Sequence, residues 1–495
     1  MPEETLKTKT ITSMIWTAIQ RFGVITLSFI TNLILARILS ADDFGIVGMI
    51  SIFIFLAEAF TDSGLGEALI NKKDCTDVDY STVFWSNLAL SVIIYLILFV
   101  TAPLIAKFYK MEVLTKLLRI KAIIIILQGL RLIQTTILQK QLNFKKISLI
   151  YLSSSIISTI ISIILALNGW GYWALVAKTI IDITVRTFLF WIFSKWKPML
   201  KFSIDSFKQL FSFGFVMLSA STINTLYSEG QGLIIGKAFT ATDLGYYTQA
   251  RKLQEIPTNA VIQIVNTVTF PVLSKLKEDI EKMKKAFQKI IISITYVTFP
   301  MMIFFIICAQ PIFRMLYTSK WDFSIPYFRY LCIVGMMTSV NTINTTLVKS
   351  TGRKGLYFKF QVIEKIIGII FLILSVRFGM SGLLIANVIL EYLFFIINAI
   401  VTNKSIHYSI WEQIRDLLPN YLLSILLGIL VYFGFTFLKI PNIVHFILEF
   451  FVYSLTYIGL SWLFRFKSFY VYKEIIISKV KKNKLNKNNA EELNN

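Results

Sequence analysis

Long, nearly unbroken apolar runs recur along the whole chain, and no other feature limits its fold as much. They occupy residues 11–38, 43–70, 82–106, 115–138, 147–167 and 171–194, then 208–237, 242–275, 283–308, 325–348, 356–376 and 380–402, with two more at 418–437 and 442–465. Each is close to or longer than the ~20 residues a helix needs to cross a bilayer. Only helices and closed barrels satisfy their backbone groups inside lipid, and these runs lack the short alternations of barrel strands. The pattern predicts an all-α integral membrane protein of about fourteen spans. The bulk numbers agree, with 56% hydrophobic and only 16% charged residues in 495.

A net charge of +22 would suit a nucleic-acid partner. The charge instead sits mostly in short connections between apolar runs, so no nucleic acid is expected. With the amino terminus inside, the cytoplasmic connections hold Lys72, Lys73, Lys140, Lys145, Lys146, Lys195, Lys197, Lys201, Lys208, Lys275, Lys277, Lys349, Arg353 and Lys354. The outer ones hold far fewer, among them Arg37, Lys107, Lys110, Lys237, Arg314, Lys320 and Lys439. That asymmetry predicts a multi-pass protein of the bacterial inner membrane with both termini cytoplasmic. The first run is longer than a signal-peptide core, so an uncleaved anchor is expected. The polybasic tail from Lys479 to Lys487 reads as a solvated end, with contact to anionic membrane lipids as the alternative.

Several chemistries find no support. Cys75, Cys308 and Cys332 are scattered, and His407 and His445 are far apart, so neither a disulfide framework nor a metal site is expected. Gly232 to Lys237 resembles a phosphate loop but lacks the glycine spacing and the Ser or Thr after the lysine. No catalytic triad pattern appears, and no catalytic residues or cofactors are expected. The outer connections are too short to hold a catalytic domain.

The chain contains a direct repeat. Leu33 to Gly45 aligns with Leu233 to Gly245 at an offset of 200, and the informative matches are Arg37 with Lys237, Ala41 with Ala241, Asp43 with Asp243 and Gly45 with Gly245. At an offset of 210, Thr135 and Thr136 meet Thr345 and Thr346, and Gly169 meets Gly379. Two six-helix halves of the same topology follow, an arrangement found in secondary transporters with a site near the midplane. The layout is an N-terminal lobe at 1–200, a C-terminal lobe at 201–405, two further helices at 406–467 and a basic tail at 468–495.

Charges inside the predicted helices mark the site. The first half carries Arg21, Glu58, Asp62, Glu67, Lys121, Arg131, Lys178, Asp182 and Arg186; the second carries Glu229, Arg251, Lys252, Glu255, Glu364, Lys365 and Glu391. One ionised group at a helix centre costs ~2.5–3.5 kcal/mol on insertion scales, so most of these must face one another or water. Lys178, Asp182 and Arg186 are four apart and form one stripe, as do Glu58 with Asp62 and Arg251 with Glu255. Asn259, Gln263 and Asn266 extend a polar stripe on the eighth helix, and Asn341, Asn344 and Thr345 form one on the tenth. With Lys121 and Glu67 set aside as interfacial, the first six helices hold four cations against three acids, a slightly positive interior. Arg21, Arg131, Lys178, Arg186 and Arg251 are the candidate ligands for an anionic headgroup, because a guanidinium can pair two phosphate oxygens at once. Glu58, Asp62, Asp182, Glu229, Glu255, Glu364 and Glu391 are the candidates for a coupling proton or sodium ion, since burial raises a carboxyl's affinity for protons. Pro257, Pro271 and Pro300 are candidate hinges.

Leu35-Ala36-Arg37-Ile38-Leu39 with Asp43-Phe44-Gly45, Asp62-Ser63-Gly64-Leu65, and Thr269-Phe270-Pro271-Val272-Leu273-Ser274 carry a family likeness. Over residues 8–403 the chain resembles the Wzx-type polysaccharide exporters, in the larger group that includes MATE multidrug exporters and MurJ peptidoglycan-precursor flippases. The likeness is to the lipopolysaccharide, colanic acid and teichuronic acid branch. It implies two six-helix lobes in a V, two C-terminal helices that form a groove for a lipid tail, and alternating access. The implied cargo is an oligosaccharide on undecaprenyl pyrophosphate, as in O-antigen or exopolysaccharide assembly, and polysaccharide polymerase and export machinery are the implied partners. A helix 1 arginine contributes to the cationic cavity of MurJ-like relatives, and Arg21 stands in that neighbourhood. The competing readings are a drug or cation antiporter, a membrane enzyme of polysaccharide assembly, and a scaffold.

Overall fold

A computed structural model describes residues 3–474 apart from 63, 353 and 438–440. Arg353, Lys439 and the Lys479–Lys487 tail therefore lie outside the described residues, as do Ser63 and the side chain of Asp62. The described chain is helical throughout, with no strand. The helices are α1 (Glu3–Ile38), α2 (Ala41–Asp62), α3 (Leu65–Asn71), α4 (Asp77–Tyr109), α5 (Val113–Lys121), α6 (Ile123–Lys140), α7 (Phe144–Leu167), α8 (Tyr172–Ser194) and α9 (Ile204–Ala238). They continue as α10 (Ala241–Ile264), α11 (Phe270–Lys275), α12 (Ile280–Ile307), α13 (Ala309–Leu316), α14 (Ser324–Ser350), α15 (Lys354–Ser375), α16 (Gly379–Ile406), α17 (Ile410–Thr436) and α18 (Asn442–Leu463).

Ten helical stretches among the described residues are long and apolar enough to cross a membrane. One of them, 358–406, holds both α15 and α16, joined by the 3-10 turn Val376–Phe378. The predicted spans outside this set are α5 with α6, α8, and α9. For α8 and α6 the sequence explains why: α8 places Lys178, Asp182 and Arg186 within one stretch, and α6 interrupts its apolar residues with Gln128, Arg131, Gln134 and Gln139, whereas much of α9 lies outside the residues whose side chains are described. Polar side chains that serve an interior lower the very apolarity that marks a span.

The chain divides into two compact units, Met1–Thr248 and Gln249–Asn495. In the first, α1 packs along α7 through small hydroxyl side chains. Ser148, Ser155, Ser158 and Ser162 are all buried on α7. Thr31 meets Thr159 at 2.8 Å, and the Ser148 hydroxyl lies 2.8 Å from the Trp16 carbonyl and 2.7 Å from the Phe144 carbonyl. Lipid gives helices no hydrophobic reason to associate, so close approach at small residues does the work. A second cluster forms where Leu65 and Leu69 of α3 meet Val83 and Phe84 of α4 and Ile133 and Ile137 of α6, with Trp191 and Trp196 packed against it.

In the second unit, α12 runs beside α18, with the Phe304 ring 5.4 Å from that of Phe446 and 5.5 Å from that of Phe450. Helix α10 passes through a π-helical turn, Val265–Thr269, directly before α11 and Pro271. Proline cannot supply an amide to the preceding turn, and the wider turn absorbs that loss. Pro257 and Pro300 lie inside α10 and α12.

The sequence repeat has a local physical cause. Before α2, the Ser40 amide donates to Asp43 at 2.9 Å and the Asp43 amide donates back to the Ser40 hydroxyl at 3.2 Å. Before α10, Thr240 and Asp243 make the same exchange at 3.2 and 3.1 Å. Each pair is a reciprocal cap that satisfies orphan amides of a helix start. The two copies then pack on each other. A Cβ on Gly45 would overlap the Ala241 carbonyl, and one on Gly245 would overlap the Ala41 carbonyl. Thr242 also donates to Asp42 at 3.3 Å. At the offset of 210, Gly169 and Gly379 share left-handed backbone, with φ of +80° and +73°.

Gly45→Ala and Gly245→Ala should each lower stability by about 1–3 kcal/mol, the usual cost of overpacking. Thermal unfolding of purified protein in detergent measures this. Gly230→Ala, which meets nothing within 4 Å, should leave the midpoint unchanged or raise it. Equal behaviour of all three would contradict the close approach.

Candidate functional site

The first unit holds an open cavity of about 970 Å³, built by faces of α2, α3, α4, α6, α7 and α9. Helix α6 supplies most of its polar wall. Gln128, Arg131, Thr135 and Gln139 follow one another at spacings of three, four and four, so one face of the helix carries all of them. Phe55 and Glu58 come from α2 at the same kind of spacing, and Asp62 would continue that row, but its side chain lies outside the described residues. Gln128 crosses to α2 and donates from Nε2 to Glu58 Oε1 at 2.8 Å. Helix α3 adds Glu67, α4 adds Asn87, α7 adds Tyr151, and α9 adds Thr225, Ser228 and Glu229.

The predicted cations separate here. Arg131 lies on the wall, with its guanidinium 6.0 Å from the Phe190 ring centre. Arg186 pairs with Asp182 one turn away on α8, and it lies 4.2 Å above the ring of Tyr151. It thus stands behind a wall residue instead of on the wall. Lys178 is half-buried on α8, and Arg21 is exposed on α1; neither lines this cavity.

Two corrections follow. The sequence suggested a slightly positive interior for the first six helices, but among the described residues this wall carries Glu58, Glu67 and, from α9, Glu229 against the one cation Arg131. The tally went astray because Arg21 and Lys178 do not line this wall, Glu67 does, and Glu229 joins it from α9; a count by helix does not record which face each charge takes. Glu67 and Lys121, set aside as interfacial, are also placed differently. Glu67 lines the cavity, while Lys121 is only 7% exposed, with Glu58 as its nearby opposite charge.

In the second unit, Arg251 and Glu255 form an ion pair of 2.6 Å along α10. Glu364 on α15 and Glu391 on α16 are close enough for their charges to interact. Asn341 of α14 donates from Nδ2 to Glu391 Oε2 at 2.9 Å. Gln361 donates to Glu364 at 3.2 Å, and Thr402 donates to Asn344 at 2.6 Å. Glu364 Oε1 and Asn341 Oδ1 are buried with no hydrogen-bond partner among the described residues. Two carboxylates and one unmet amide oxygen inside one unit give a cluster that could hold a proton or a small cation.

Sequence reasoning missed Asn87, Gln128 and Gln139, because one amide in an apolar run gives no periodic signal. It also missed a buried trio. Cys308 at the end of α12 lies 2.7 Å from Glu449 Oε2 of α18, and His445 Nδ1 lies 3.2 Å from the same oxygen. No spacing rule reaches across the 141 residues that separate Cys308 from Glu449.

The family model described as polysaccharide biosynthesis protein matches residues 34–326. The chain belongs to that family. The chain is similar to the lipopolysaccharide biosynthesis protein WzxC of Escherichia coli (strain K12), 26% identical over 86% of this chain and 89% of that protein. The teichuronic acid biosynthesis protein TuaB of Bacillus subtilis (strain 168) is 27% identical over 69% of this chain and 71% of its own. The succinoglycan biosynthesis transport protein ExoT of Rhizobium meliloti (strain 1021) is 28% identical over 73% and 74%. Among solved structures, the lipid II flippase MurJ in an inward closed conformation superposes with a TM-score of 0.72 over 91% of this chain and 99% of that one, at 18% identity. An inward-facing MATE multidrug transporter gives 0.61 over 79% and 98%, at 14% identity. This polysaccharide biosynthesis protein is thus a multi-pass membrane protein with a transporter fold.

The ion pair on α8 can be tested directly. Asp182→Asn should cost about 3 kcal/mol, because it leaves the partly buried Arg186 uncompensated. Asp182→Leu with Arg186→Met should recover most of that loss. Detergent unfolding midpoints of the single and double variants decide it, and equal losses in both would show that the pair does not hold α8.

Proposed function

We propose that the chain is a flippase that moves undecaprenyl-pyrophosphate-linked oligosaccharide repeat units from the cytoplasmic to the outer leaflet by alternating access, without covalent change to the lipid. The observation that carries this reading is an open cavity of about 970 Å³ with polar and charged side chains on its wall, in a polysaccharide biosynthesis protein whose fold is that of a transporter. A glycan headgroup cannot cross hydrocarbon exposed, and a walled polar chamber gives it somewhere to sit. Relatives named for lipopolysaccharide, teichuronic acid and succinoglycan biosynthesis support a cargo of this class.

In this reading the chain has fourteen spans as two six-helix halves with two helices appended, lies in the bacterial inner membrane and keeps both termini in the cytoplasm. Arg131 is the cation best placed to meet a phosphate oxygen or a sugar in the first unit. Arg21, Lys178, Arg186 and Arg251 serve the path or its walls. Glu364, met by Gln361, and Glu391, met by Asn341, are the best placed carboxylates for a coupling proton or sodium ion. A second reading, a cation or drug antiporter, gains from the acid excess on the first-unit wall and from the MATE likeness.

In cells lacking the native gene, Arg131→Glu should reduce surface polysaccharide about tenfold, because a charge-assisted contact becomes a repulsion. Lipid-linked repeat units should accumulate inside, with the variant expressed normally in the membrane. Glu391→Gln should leave cargo binding intact and slow transport. Full surface polymer from Arg131→Glu would remove Arg131 from the path, and accumulation of shortened or altered lipid would favour an enzyme.

A further inference from the structure

Helix α18 turns its apolar side chains outward and its polar ones inward. Ile447, Leu448, Phe451 and Leu455 are exposed. The inward face carries His445, Glu449, Tyr453, Tyr457 and Ser461, each four residues after the last, so one stripe holds them all. The last four are buried, and the His445 side chain keeps 18% of its surface. At ~1.5 Å per residue the stripe runs about 24 Å, most of the ~30 Å of a hydrocarbon core.

Neighbouring helices meet the stripe with polar groups of their own. Cys308, between α12 and α13, donates to Glu449 Oε2 at 2.7 Å. His445 Nδ1 lies 3.2 Å from the same oxygen but out of line for a hydrogen bond, and His445 Nε2 lies 3.3 Å from the Phe435 carbonyl of α17. One turn on from Glu449, the Tyr453 hydroxyl donates to the Ser424 carbonyl of α17 at 3.1 Å. The Tyr457 hydroxyl is buried with no hydrogen-bond partner among the described residues. At the far end Tyr296 of α12 and Ser461 share a hydrogen bond of 2.7 Å, and the Tyr472 ring packs 5.4 Å from that of Tyr296. Cys308, Tyr296 and Tyr472 are thus the titratable groups facing the stripe, while Arg314 of α13 is held by Asp322 at 2.9 Å.

Polar groups that only glue helices together find their partners. Here His445 Nδ1 and the Tyr457 hydroxyl do not. A carboxyl buried inside a span is costly, and its usual use is ion or proton traffic.

We infer that the buried face of α18 is a proton path, separate from the Glu364 and Glu391 cluster, with His445 and Glu449 as its entry site and the tyrosine and serine hydroxyls as its continuation. A proton arriving at His445 makes the imidazolium. The Nδ1–H bond then breaks as an O–H bond forms on Glu449, which leaves imidazole and carboxyl both neutral. The acid returns to carboxylate as its proton passes to a hydroxyl one turn on, and that hydroxyl gives up its own to the next. Successive side chains stand about 6 Å apart at Cβ, a gap that one bridging water covers. The inference goes beyond the flippase reading and rests on it for direction: in that orientation α18 starts on the outer side, so protons enter from outside and supply a driving force.

The test uses the full chain in liposomes with a pH-sensitive dye inside, an undecaprenyl-pyrophosphate-linked oligosaccharide in the bilayer and an acid step outside. The wild type should acidify the interior faster than protein-free liposomes do. Glu449→Gln should fall to the protein-free rate, and Glu449→Asp, which keeps a carboxyl, should recover part of it. Tyr457→Phe removes one hydroxyl but keeps the ring stacked 6.4 Å from that of Tyr453, so it should slow entry severalfold with an unchanged unfolding midpoint in detergent. Leu455→Ala, on the exposed face, should leave entry unchanged. Wild-type entry no faster than in protein-free liposomes, or full entry in both Glu449→Gln and Tyr457→Phe, would overturn the inference. Cargo exposure without proton entry would do the same while leaving the flippase reading in place. Proton entry without cargo exposure would keep the path and remove that reading.

Discussion

A charge inside a membrane must be paired or wetted, and the rest of this structure follows from that rule. Its charged side chains take three kinds of place. Some pair along one helix, as Asp182 does with Arg186 and Arg251 with Glu255. Some line a cavity, as Glu58, Arg131 and Glu229 do. Others are buried against amides from a neighbouring helix, as Glu391 is by Asn341. Helices that carry these groups give up apolarity, and α6 and α8 accordingly fall outside the stretches that look membrane-spanning by composition. Function and insertion thus compete within the same residues.

Helix association in the first unit follows the second rule of a lipid environment, that small residues permit contact. The buried serines of α7 let α1 approach, and glycines at the starts of α2 and α10 bring backbone against backbone. The repeated motif is therefore more than a trace of duplication. Its aspartate caps a helix, its alanine supplies the carbonyl, and its glycine makes room for the carbonyl of the other copy. Each matched residue type has a separate physical task, which is why those positions stand out from an apolar background.

Much of the fold was legible in the sequence, since apolar run length reports directly on what lipid tolerates. Helical stripes were legible too: the spacing of Lys178, Asp182 and Arg186 puts them on one face of α8. What spacing leaves open is the direction in which each face points. That is how a count of cations over acids predicted a positive interior where the wall is acid-rich, and how Glu67 was set aside as interfacial. Asn87 left no pattern to read, because a single amide on an otherwise apolar helix face has no period. The Cys308, Glu449 and His445 cluster joins elements far apart in the chain, and only the fold reveals it.

The account's central claim is that this polysaccharide biosynthesis protein moves a glycolipid without altering it. The most direct measurement reconstitutes the purified chain in vesicles whose inner leaflet alone carries an undecaprenyl-pyrophosphate-linked oligosaccharide, and follows the glycan's exposure to an impermeant oxidant outside. The account predicts protein-dependent exposure above that of empty vesicles, with the recovered lipid unchanged in mass until oxidised. Exposure no faster than in empty vesicles, or a lipid whose glycan has been cut or extended, would contradict it.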